Sequence, residues 1–113
     1  MKLQQRVEKN VGIVALLGNL EIHEIADTKV SLKPLLENQA IQVILLDLHG
    51  VAHVDSAGIG LLIGLYHTTS SSGKKIMLCN TTKTVEQIFS MARLSKLMAI
   101  YPTVEAALAD LQK

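Results

Sequence analysis

Val43-Ile44-Leu45-Leu46-Asp47-Leu48 is followed by Val54-Asp55-Ser56-Ala57-Gly58-Ile59-Gly60, and that by Leu61-Leu62-Ile63-Gly64-Leu65-Tyr66. The first run is nearly all apolar, as a strand covered on both faces should be. The last reads as the buried face of a helix. Asp55, Ser56, Ala57 and Gly58 therefore sit where a strand hands over to a helix N-terminus. In an α/β fold that is where a hydroxyl is best exposed and an added negative charge best tolerated.

Upstream, Leu3, Gln5 and Val7 alternate with polar neighbours, the period of a half-exposed strand. Lys9-Asn10 makes a turn, and Val11 to Leu17 forms a second strand close enough for an antiparallel hairpin. From His23 to Asn38, Ile25, Ala26, Val30, Leu32, Leu35 and Leu36 follow helical spacing, with a kink or restart expected at Pro34. Downstream, the helix of 56–72 stops at Gly73, and Ile76 to Cys79 is a short buried strand. Thr84-Val85-Glu86-Gln87 has capping-box spacing and opens a helix whose inner side is Val85, Ile88, Phe89 and Ala92. Leu97 to Tyr101 makes a last strand. Thr103 then caps an Ala-rich helix from Val104 to Leu111. The order β-β-α-β-α-β-α-β-α predicts a single-domain α/β fold over 1–113. Its mixed sheet is mostly parallel, with an antiparallel N-terminal edge hairpin and about four helices.

Composition narrows the function. At 113 residues and 49% apolar content, the chain can bury one core without metal or disulfide support. Eleven basic against ten acidic side chains give a net charge of +1, too little surplus to track a phosphate backbone, so nucleic acid is not an expected partner. Cys79 is the single cysteine and fits a reducing compartment. Residues 58–73 carry no charged side chain but are shorter than the roughly 18 residues of a membrane span. The N-terminus is too polar for a signal peptide, so a soluble cytoplasmic domain is expected.

The central turn could serve several chemistries. Asp55 or Ser56 can cap the helix, and on spacing alone capping is the simpler reading. Gly58, Gly60 and Gly64 each weaken a helix, and their bareness would admit another backbone or the helix's own sheet. A phosphate on Ser56 would meet the positive end of the helix dipole. The glycine spacing is not G-x-G-x-x-G, and no P-loop lysine follows, so no nucleotide is expected. Ser56 lacks the G-x-S-x-G elbow, and nothing places His49, His53 or His67 on it as a base. His49 and His53 lie in a strand-to-loop segment where their spacing does not converge, so no metal or other cofactor is expected. Cys79 and the Met and Leu residues of 88–98 are read as core.

With strand, turn and glycine-bearing helix in place, the chain resembles the STAS domain family, most of all its anti-sigma factor antagonists. The likeness includes Gly18-Asn19-Leu20-Glu21, where the family often has Gly-Glu-Leu-Asp, and Val54 to Gly60. It extends through Gly73-Lys74-Lys75 to Ile88-Phe89-Ser90-Met91-Ala92-Arg93-Leu94. The resemblance implies partner switching: the protein binds an anti-sigma factor that is also a serine kinase, and so releases a sigma factor. That kinase phosphorylates the serine after the motif's aspartate, here Ser56, and a serine/threonine phosphatase reverses it. Asp55 would orient the serine and the kinase, Gly58 and Gly60 would admit the partner, and Glu21 and Ala57 complete the implied contact surface. Glu21 is one methylene longer than the family's usual Asp, and Asn19 lowers the charge nearby. Two alternatives stay open: a STAS regulatory or scaffold protein, such as a stressosome component or a lipid-transport ATPase subunit, and a Ser56-dependent hydrolase.

Overall fold

Lys9 takes a left-handed backbone (φ 55°) and turns β1 (Lys2–Glu8) back onto β2 (Val11–Leu17) as an antiparallel hairpin. The computed structural model describes residues 1–112. After the hairpin come a 3-10 turn (Ile22–Glu24), α1 (Ile25–Glu37), β3 (Val43–Gly50), α2 (Ser56–Ser71) and β4 (Lys75–Cys79). They are followed by α3 (Lys83–Met91), a second 3-10 turn (Leu94–Lys96), β5 (Ala99–Tyr101) and α4 (Val104–Leu111). The five strands lie in chain order, β1-β2-β3-β4-β5, and every pair after the hairpin is parallel. The expected α/β class, mixed sheet and order of elements are all present.

Period-two alternation divides the core. Val14, Leu16, Ile44, Leu46, Ile76 and Leu78 point to the face covered by α1, α2 and α3. Ile13, Val43, Leu45, Met77 and Cys79 point to the opposite face, where α4 sets Val104 and Ala107. Because both faces of β3 and β4 are covered, those strands read as unbroken apolar runs.

Several local expectations are corrected. β1 is more exposed than half: Leu3 is partly buried, whereas Gln5 is exposed and Val7 is 57% exposed. Leu35 of α1 seats over Gly12 of β2, where a Cβ would lie 2.8 Å from Leu35 Cδ2. α1 runs through Pro34 without a restart. Pro34 and Val30, whose carbonyl loses its helical donor there, are both exposed, so water can take the vacant acceptor. The inner stripe of α1 is Ile25, Thr28, Leu32 and Leu35, while Ala26 and Val30 face solvent. Thr28 is tolerated inside because its hydroxyl donates to the Glu24 carbonyl at 2.7 Å.

α3 is capped by Thr82, not Thr84: the Thr82 hydroxyl accepts from the Val85 N–H at 3.3 Å. Ala92 is exposed, because Arg93 (φ 55°) turns the chain and sends Leu94 into the core in its place. β5 is shorter than expected, since the 3-10 turn holds residues 94–96 and leaves Leu97 outside. Thr103 caps α4 as read, accepting from the Ala106 N–H at 3.0 Å. Among the described residues, no helix is long and apolar enough to cross a membrane.

Candidate functional site

The segment after β2 and the segment after β3 run side by side beyond the sheet and are zipped together. Gly18 N–H donates to the Gly50 carbonyl (3.1 Å), Leu20 N–H to His53 (3.1 Å), and Asp55 N–H to Leu20 (3.1 Å). Leu20 and Val54 form an isolated parallel bridge. Asn19 adds a side-chain clamp: its Oδ1 accepts from the N–H groups of Ala52 (3.2 Å) and His53 (3.1 Å). Leu20 and Val54 are buried beneath, so the paired loops stand on core.

Asp55 ends this platform and begins α2. Its Oδ1 accepts from the Gly58 N–H at 2.9 Å, the N-cap bond, and its Oδ2 accepts from the Ile22 N–H at 2.9 Å. One carboxylate thus ties the helix start to the 3-10 turn before α1. The Gly58 bond foremost, helped by those from Ile22 and Ala57, holds the Asp55 carboxyl below the ordinary carboxylate range, although desolvation works the other way.

Ser56 is the first residue of α2 and is exposed, and its side chain makes no hydrogen bond among the described residues. Ala57 beside it is half-buried. Gly58 is buried, and a Cβ there would meet the Leu20 carbonyl oxygen at 2.4 Å and Val54 Cγ1 at 2.7 Å. The room it leaves is therefore filled by the protein's own backbone, one of the two occupants expected for these glycines. Gly60 is different, since a Cβ there meets nothing within 4 Å. Glu21 is half-buried on the platform, next in chain to Ile22, whose N–H Asp55 holds.

This arrangement can be set beside known proteins. The STAS domain matches residues 2–107. The chain belongs to the STAS domain family. The anti-sigma F factor antagonist of Paenibacillus polymyxa is 28% identical over 114 residues, spanning 99% of this chain and 97% of that protein. An anti-sigma factor antagonist from Mycobacterium paratuberculosis superposes with a TM-score of 0.87 at 15% identity, covering 99% of this chain and 94% of the other. The antagonist SpoIIAA in its unphosphorylated form gives 0.80 at 21% identity, covering 98% and 96%. Bacillus SpoIIAA in its phosphorylated form gives 0.72 at 21%, covering 97% and 99%. At these identities the solved structures speak for the fold.

Within this STAS domain the other sequence candidates fall away from Ser56. His49, His53 and His67 are all exposed, and none hydrogen-bonds Ser56 among the described residues. No group of three His, Cys, Asp or Glu side chains is placed to hold a metal among the described residues. Cys79 is buried between sheet and α4, and burial pushes its thiol up to about 12.

Two features escaped the sequence reading. In the sequence Asn19 stands out only by its missing charge, yet its amide oxygen locks the neighbouring loop. Ile22 is 70% exposed on the turn that Asp55 holds. An apolar residue between Glu21 and His23 in a loop was the available signal.

Proposed function

We infer that this STAS domain is an anti-sigma factor antagonist that binds an anti-sigma factor serine kinase and frees a sigma factor. Phosphorylation of Ser56 by that kinase ends the interaction, and a serine/threonine phosphatase restores it. The domain is then a substrate of other proteins' chemistry and not an enzyme. The observation that carries this reading is Ser56 itself: an exposed hydroxyl, without a hydrogen bond among the described residues, at the first position of a helix whose start is fixed by Asp55. The names of the sequence relatives point the same way.

The physics of the switch is direct. A phosphate adds about −1.5 to −2 charges beside the Asp55 carboxylate and the exposed Ile22. The folded domain tolerates it, because the N-terminus of α2 presents roughly half a positive charge. A partner packed over Ile22 and Ser56 does not, since that charge would have to be desolvated in a closed interface. Incubation with ATP and each anti-sigma factor kinase of the source organism, followed by mass spectrometry, tests the reading. A single phosphate on Ser56, absent from Ser56→Ala, is expected. Modification elsewhere, or none by any kinase active on its own antagonist, contradicts it.

A further inference from the structure

We propose that the groove between α1 and α2 seats an acidic amphipathic helix of the anti-sigma factor, running along α2 from Ser56 toward Thr68. This rests on the function inferred above and assigns the partner its shape and charge. The observation behind it is a contrast among glycines. Gly58 is accounted for by its contact with Leu20, but a Cβ at Gly60 or Gly64 meets nothing within 4 Å, and neither takes a positive φ. Glycine inside a helix is destabilising relative to alanine. Among the described residues, neither close packing nor backbone conformation offsets that loss.

Both glycines open onto a groove of about 310 Å³, lined also by Lys29, Lys33, Leu36 and Leu65. Lys29 and Lys33 lie one turn apart on α1, are exposed, and make no ion pair among the described residues. Like charges at that spacing repel, and an anionic occupant relieves the repulsion. The groove also leads to the switch. Ser56, Gly60, Gly64 and Thr68 recur every four residues and are all exposed, so they share one side of α2. Those twelve residues span about 18 Å, the length of a three-turn helix. Bare positions let a second helix approach toward the short end of the usual interaxial range. A phosphate on Ser56 then stands at the head of a groove holding an acidic helix, and like-charge repulsion adds to desolvation in expelling it.

Isothermal titration of the purified anti-sigma factor kinases of the source organism against four proteins tests this: wild type, Ser56→Asp, Gly64→Leu, and the double change Lys29→Glu with Lys33→Glu. Both groove variants are expected to bind at least tenfold more weakly than wild type, with unchanged circular dichroism. The charge variant should also lose most of the salt dependence of binding. Affinities within twofold of wild type in Gly64→Leu and the charge variant overturn the groove, while a loss confined to Ser56→Asp leaves the switch standing. A change in the chain's own sedimentation without a change in kinase affinity assigns the groove to a second copy and also overturns the proposal. Wild type binding none of the kinases contradicts the antagonist function and the groove together.

Discussion

Replacing Gly58 by alanine adds one methyl where the fold has no room for it. The new Cβ would lie 2.4 Å from the Leu20 carbonyl oxygen, and ordinary contact begins at 3.4 Å, so the two must part by 3.4 − 2.4 = 1.0 Å. Neither side yields easily. The Leu20 carbonyl already accepts from the Asp55 N–H at 3.1 Å, Leu20 N–H is bonded to His53, and the Leu20 side chain is fully buried. Moving the helix instead strains the Gly58 to Asp55 cap at 2.9 Å. Overpacking of this kind costs about 1–3 kcal/mol. Loss of a hydrogen bond adds about 1 kcal/mol, and the better helix propensity of alanine returns about 0.5–1 kcal/mol. The net expectation is a destabilisation of roughly 2 kcal/mol, or about 8 °C in Tm at about 4 °C per kcal/mol for a chain of this size. Gly64→Ala, with nothing to strike, should instead gain about 0.5–1 kcal/mol. Urea titration of both variants by circular dichroism reads the difference. A Gly58→Ala protein as stable as wild type would refute the close-approach argument.

Asn19→Ala removes an acceptor shared by two N–H groups that water can reach, so a loss of about 1 kcal/mol is expected in urea unfolding, with greater hydrogen exchange at Ala52 and His53. The folded domain holds the Asp55 carboxyl below its ordinary value of 3.8. Its contribution is therefore complete above that pH and lost as pH falls below it through the folded value. The stability gap between wild type and Asp55→Asn should be constant from pH 7 to 5 and narrow below about pH 4; a gap unchanged down to pH 2.5 would show that the carboxylate is not the clip.

Much of this molecule was legible in the chain because strands and helices here carry clean periods. The apolar runs of 43–48 and 11–17 specified the covered strands, and Gly73 and Thr103 marked helix ends. What was not legible depends on contacts that exist only once the chain is folded. Thr28 is polar in the sequence but lies inside because its hydroxyl finds the Glu24 carbonyl. Thr84 carries the capping-box spacing, yet Thr82 is the cap, because α3 starts at Lys83, just after the left-handed Asn80 (φ 58°). Gly58 and Gly60 are the same letter two positions apart, yet only the first lies against Leu20, 38 residues upstream in the chain. The central turn was readable as a site from its neighbours. The clamp made by Asn19 and the second hand of Asp55 required the paired loops to be seen.

If one hydroxyl governs one interface, the cognate anti-sigma factor kinase must distinguish the two forms of the domain by affinity. Unmodified protein and protein stoichiometrically phosphorylated on Ser56 should give the same circular dichroism, while the phosphorylated form binds roughly 100-fold more weakly, or worse, for a charge forced into a closed contact. Equal affinities for the two forms would show that Ser56 is not the switch.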